Sequence, residues 1–424
     1  MGLKISSVSA REIFSDRGHP GIEATVITED RACGVAVATA GVSVGKYEVK
    51  FVYDGGKRYG GVGVLKAVDN VNRIIGPALK GMDATKQREI DETMIKLDGT
   101  PDKSRLGGNA TASVSAAVLK AGAASLGIPL YQHIGGVNAC ILPVPGIGTV
   151  VGSDRYGGGE RAGGKPSYTL MVYGFKSFSG ASYACWEVGR EFERLLLERY
   201  KVRAMSRGVL HTPIPRGAVK EDRELWDLMV DAIAEAGHKN KVGIQVDIAA
   251  GCYYDVKKGV FVGLFSEKDK TKEDLMELYK EMVADYPFVI FEDPLDEVDY
   301  EGHAALTKEV DIEIVGDDLF TTNVERLKRG IEVGACNAVL LKVNQIGTIT
   351  ESFDLVELAY RNGYGVMPCS SRGEGADIAD YTVGLSTGHV RESGTGPTAN
   401  RLLKIESELG SRARFLGKAG LKGG

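Results

Sequence analysis

Asp247, Glu292, Asp317 and Lys342 each close a short apolar run, in VGIQVDIAA, PFVIFEDPL, IEIVGDDLF and AVLLKVNQIG. Carboxylates are hard oxygen donors, and three of them beside a lysine make a site that suits Mg2+ better than a soft metal. Taken one at a time, each acid is an ordinary loop charge or helix cap. The spacing is what joins them: they lie 45, 25 and 25 residues apart, and a strand, helix and return loop occupies roughly 25 to 30 residues.

The elements that must carry these charges follow from the runs themselves. Four to six consecutive apolar or β-branched residues fit a strand buried on both faces, with the charge where the strand emerges. Parallel strands of a (β/α) barrel all point one way, so the four charges gather at one mouth.

Composition narrows the class. The chain has 424 residues, long for one domain and comfortable for two. No apolar run approaches the roughly 20 residues that span a bilayer, and MGLKISSVSAREIF lacks the apolar core of a signal peptide. A soluble, cytoplasmic protein with no membrane partner is expected. The net charge of -5 comes without a basic stripe, which argues against a nucleic-acid partner. The six cysteines (Cys33, Cys140, Cys185, Cys252, Cys336, Cys369) form no CxxC pair and read as buried thiols of a reducing compartment.

Along the chain, alternating runs around DRGHPG and a third run, CGVAVA, predict an antiparallel meander. A glycine-dense loop follows, whose GVSVGKY lacks the spacing and hydroxyl of a phosphate loop. Helical periodicity from Lys66 to about Gly135 completes an α+β domain, placed at residues 1–138. LPVPGIG reads as a linker, and residues 139–424 as the barrel domain. Within it, SYTLMVYGF reads as a strand and ASYACWEVGREFERLLLERY as a helix. Basic residues in VVGSDRYGGGERAGGKPS either clamp an anion or are solvated. Ser370, Ser371, Arg372 and Arg391 fall near later strand ends, where a Ser/Gly turn with an arginine suits a phosphate or carboxylate.

The sequence resembles the enolase family from about Ser9 to the C-terminus. LDGTPDKSRLGGNA at 97–110, IFEDPLDEVDYEG, VGDDLFTTN and LLKVNQIGTITE carry the resemblance. It implies an α/β fold: a modified (β/α)8 TIM barrel, its second strand antiparallel, with an N-terminal α+β capping domain. It implies Asp247, Glu292 and Asp317 as ligands of a first Mg2+, Ser43 of GVSVGK at a second, and Lys342 as the base that takes an α-proton. A proton α to a carboxylate is weakly acidic, so the dianion it leaves needs concentrated positive charge. A lysine near the metals is expected to have a lowered pKa. The substrate implied is a small, phosphorylated carboxylate such as 2-phosphoglycerate, and the assembly at least a homodimer.

The loops that in this family help expel hydroxide depart from its pattern. The DEGG loop corresponds to MSRGV, with Ser206 or Arg207 in place of the acid, and QEFM to YTLM, with Thr169 in place of the second. SHAGG becomes ERAGG, with Arg161 replacing the histidine unless Asp154 aligns better. SHRSGE becomes SSRGE, keeping Arg372, and the lysine of GQIKTG becomes Arg391, which keeps charge but cannot act as a base. These changes predict α-proton abstraction with weakened dehydration, and His211 as a substitute acid. Arg155, Arg161, Arg207 and Arg216 suggest a more anionic substrate or a leaving group such as phosphate. The other outcomes open to the same scaffold are epimerisation, phosphonate transfer, or a silent metal-binding scaffold.

Overall fold

The computed structural model describes residues 3–15, 18–41, 44–152, 155–159, 164–204, 211–370 and 372–422. The chain begins with an antiparallel sheet of β1 (Ile5–Phe14), β2 (Pro20–Thr28) and β3 (Cys33–Thr39). The alanine-rich helix Gly108–Leu126 packs on this sheet and is buried on most sides. Its approach is close: a Cβ on Gly34 would lie 2.0 Å from the Ala117 carbonyl oxygen, so a side chain there would force sheet and helix apart. Gly127, left-handed at φ 66°, ends the helix.

Eight strands build the second sheet: β4 (Val144–Val151), β5 (Ser167–Val172), β6 (Val242–Asp247), β7 (Phe288–Glu292), β8 (Glu313–Gly316), β9 (Ala338–Leu341), β10 (Gly365–Pro368) and β11 (His389–Val390). A short piece, Thr212–Pro213, pairs with β4 as a ninth. Strands β6 to β10 run parallel, β11 lies parallel to β4, and β5 is antiparallel to both β4 and β6. The two ends of the path, β10 and β11, lie side by side, which rounds the sheet into a barrel. Helices cover the outside, so strands such as β6 are buried along their whole length. Met171, Ile290, Val315, Leu340 and Met367 fill the interior below the mouth.

Two expectations require correction. LPVPGIG is not a linker: most of it is β4, the first barrel strand, whose Gly146 and Gly148 pair with Met171 and Thr169. A Cβ on Gly148 would sit 2.9 Å from the His211 ring, so its glycine serves packing rather than a turn. The thiols are not uniformly buried either: Cys33 is exposed, and Cys140 and Cys252 are half-buried. Among the described residues, no single helix is long and apolar enough to cross a membrane.

At the opposite end of the barrel from the charged strand ends, His389 and Glu313 form a buried ion pair at 2.8 Å, and the Lys422 amide donates to Glu313 Oε2 at 2.9 Å. Burial lowers the His389 pKa, but the Glu313 charge and hydrogen bonding outweigh it and leave the pKa raised. A raised folded-state pKa stabilises the protein fully below the unfolded histidine value of about 6.5. That contribution is lost as pH rises through the folded-state pKa. Urea midpoints across this range should fall with pH in the wild type and change less in His389→Gln.

Candidate active site

The four charges of the apolar runs meet at the barrel mouth. Asp247 and Glu292 are register partners at the ends of β6 and β7. Arg391 Nη1 donates to both, at 2.6 Å to Asp247 Oδ2 and 2.7 Å to Glu292 Oε2. Lys165 forms an ion pair with the same Asp247 oxygen. On the far side, Lys342 Nζ lies 2.5 Å from Asp317 Oδ2, and Gln345 Nε2 donates to Asp317 Oδ1 at 2.7 Å. Gln345 is itself held by the Thr322 hydroxyl at 2.7 Å, which also accepts the Lys342 amide at 3.1 Å.

Asp293, the residue after Glu292, positions the next ligand candidate. Its carboxylate accepts the Asp317 amide at 3.0 Å and the Asp318 amide at 2.8 Å, which fixes the turn after β8. Asp293, Asp317 and Asp318 together form a second acidic group, with one ligand atom of each within 4.8 Å of the others.

Electrostatics in this cluster follow from burial and pairing. Burial favours the neutral form of Asp317, but Lys342, Arg372 and Gln345 outweigh it and hold its pKa down to about 2. Burial also pulls the Lys342 pKa down, and the Asp317 charge more than offsets this, leaving it up at about 12. The expected lowering at Lys342 is therefore not found, because the lysine is ion-paired with a carboxylate. A lowered lysine does exist nearby: burial and the Arg391 charge bring Lys165 down to about 8. Burial raises Glu292, and burial with the Asp317 charge raises Asp318 to about 7.

The donor set fits Mg2+. Asp247, Glu292 and Asp317 offer oxygens alone, and Glu292 Oε1 is buried with no hydrogen-bond partner among the described residues. Three carboxylates are faced by three cations, Lys165, Arg391 and Lys342.

The remaining sequence candidates are placed unevenly. Arg372 is buried against Glu48 of the N-terminal region, its Nη2 at 2.5 Å from Glu48 Oε1, and its carbonyl accepts from Asn344 at 2.6 Å. Ser370 is half-buried beside it. Thr169 lies one layer down, in register with Gln245, whereas Ser167 faces Asp247 at the level of the carboxylates. His211 lies against Gly148 of β4, 3.7 Å from Glu392. Ser43, Ser371, Arg161 and Ser206, with Asp154 and Arg207, lie outside the described residues. The sequence expectation that Arg155 serves an anionic substrate is corrected: it is buried in an ion pair with Asp222 at 2.8 Å. Arg216 is exposed. Sequence reasoning passed over Lys165, Gln345, Glu48 and Glu392; only the "VNQIG" after Lys342 carried a signal, for Gln345, because it belongs to the quoted strand-end motif.

Two family models cover nearly the whole chain: "Enolase, N-terminal domain" matches residues 5–134 and "Enolase, C-terminal TIM barrel domain" residues 139–423. The chain belongs to the enolase family. An enolase of Methanocaldococcus jannaschii is 44% identical over 421 residues, 96% of each chain. Enolases of Methanopyrus kandleri and Thermococcus kodakarensis are 43% and 42% identical over 426 and 430 residues, covering at least 97% of either chain. The fold is thus a modified TIM barrel with an N-terminal α+β domain, and the protein is a Mg2+-dependent, enolase-type carbon–oxygen lyase. The expectation of weakened dehydration finds no support in relatives that carry the name enolase.

Proposed function

We propose that the protein dehydrates 2-phosphoglycerate to phosphoenolpyruvate. The observation that carries this reading is the convergence of Asp247, Glu292 and Asp317, from three adjacent strands, on one buried cluster with Lys342 at its edge. Asp247, Glu292 and Asp317 would hold Mg2+, with Ser43 at a second ion. Bound there, Mg2+ supplies positive charge that stabilises the dianion formed when the α-proton leaves.

In this reading Lys342 takes the α-proton. Arg391 holds the substrate carboxylate, and Arg372 with Ser370 and Ser371 holds the phosphate. Arg161, Ser206 and Thr169 would complete recognition of the substrate. The paired charges are already balanced, so a dication entering with a phosphorylated carboxylate leaves the site near neutrality, which favours their joint binding.

Purified protein with Mg2+ and 2-phosphoglycerate should produce phosphoenolpyruvate, followed by its ultraviolet absorbance, and a chelator should abolish the signal. Exchange of the α-proton in D2O without product would overturn dehydration and favour epimerisation or another fate of the enolate.

A further inference from the structure

We propose that His211 and Glu392 form the proton-donating pair for departure of the β-hydroxyl, with His211 as the donor and Glu392 as its positioning residue. This rests on the dehydration reading above. The sequence lacks the family's acids at the loops that expel hydroxide, so the leaving oxygen requires another donor.

The slot that holds the pair is built into β4. Gly146 and Gly148 lie two apart and so share one face of the strand. A Cβ on Gly148 would meet His211 Cε1 and Nε2 at 2.9 Å, while one on Gly146 would meet Thr169 Cγ2 at 2.5 Å and Met171 Sδ at 2.8 Å, with the Glu392 amide nitrogen beyond them at 3.4 Å. Gly148 therefore admits the imidazole, and Gly146 lets Thr169 and Met171 of β5 pack closely against β4 beside the Glu392 backbone. His211 is anchored from behind by Thr212, which pairs with Val150 of β4.

Glu392 adopts a left-handed backbone at φ 56°, a conformation that costs a non-glycine residue free energy and that clusters at functional sites. Its carboxylate lies 3.7 Å from His211 Nε2 and 3.3 Å from Arg391 Nε. Arg391 in turn reaches Asp247 and Glu292. Glu392 thus ties the imidazole to the carboxylate cluster and gives its protonated form a counter-charge. Catalytic contacts of this length commonly shorten when substrate binds.

Lys342 follows β9, which β10 separates from β11 around the closed barrel, with β4 one strand further on. Once Lys342 holds the α-proton, the electron pair left on the α-carbon forms the double bond to the β-carbon. The β-carbon–oxygen bond breaks, the oxygen keeps the bonding pair and takes the imidazolium proton, and water leaves with neutral imidazole remaining.

The test compares two rates on the holoenzyme with Mg2+ and 2-phosphoglycerate. His211→Gln and Glu392→Gln are expected to lower kcat for phosphoenolpyruvate formation by about 10²- to 10⁴-fold, with KM little changed and α-proton exchange retained. Glu392→Asp should restore part of the loss, and Gly148→Ala should lower kcat by displacing the ring. Wild-type turnover in both glutamine variants overturns the proposal, as does a parallel loss of exchange and dehydration. A wild-type protein that exchanges the α-proton but makes no product overturns the dehydration reading itself, and the pair's role with it.

Discussion

Lys342→Ala is expected to lower turnover of 2-phosphoglycerate by at least about 10²- to 10⁴-fold and to remove α-proton exchange in D2O altogether. The lysine emerges from β9 into a cluster that leaves it 6% exposed, with its amine on Asp317 Oδ2 at 2.5 Å. The other described lysine paired with one of the three carboxylates, Lys165, contacts Asp247 instead of Asp317. Lys342→Arg separates chemistry from charge: it keeps a cation beside Asp317, yet arginine cannot take up the proton. Both variants should lose exchange. The alanine variant should also lose stability without metal, by about 3–5 kcal/mol for a buried carboxylate stripped of its partner, and regain part of it on adding Mg2+. Exchange that persists in either variant would remove Lys342 from the role of base.

In the proposed reading Lys342 is the base and Asp317 a metal ligand, and their ion pair accounts for why the two neighbour one another. With Asp317 as its counter-charge the lysine holds its proton tightly, up at about 12. Charge that competes for Asp317 weakens that hold. The site thereby links proton affinity to occupancy of the carboxylates, and Gln345 keeps Asp317 in place whichever partner it has, through its 2.7 Å bond to Oδ1.

The charged strand ends were legible in sequence for a physical reason. Strands covered on both faces need uniform apolar runs, so a charge stands out where each one surfaces. β4 was illegible by the same logic reversed: Pro145, Gly146 and Gly148 have the composition of a turn, and the room they leave, for His211 at Gly148 and for Thr169 and Met171 at Gly146, depends on residues far away in the chain. Lys165 was hidden in a glycine-rich loop, and its proximity to Asp247 follows from the antiparallel register of β5 against β6. Arg155 was misread because nothing local marks its partner. A lone arginine in such a loop looks free until the fold brings Asp222 to it.

That partner is the basis of an expected effect on stability as large as that of Lys342→Ala. Asp222 is fully buried and accepts from Arg155 Nε at 3.0 Å and Nη2 at 2.8 Å, from Tyr156 at 2.7 Å and from Tyr168 at 2.6 Å. Trp226 donates to the same Tyr168 hydroxyl at 2.9 Å. One carboxylate thus joins the segment after β4, strand β5 and the helix Arg223–Glu235. Asp222→Ala strands the Arg155 charge and two phenol groups, an expected loss of about 3–5 kcal/mol read from urea unfolding. Arg155→Met in that background should cost less than it does alone, because the charge it removes is already unpaired. If the two losses simply add, the carboxylate and the guanidinium do not stabilise each other, and the network must owe its effect to packing around Trp226 instead.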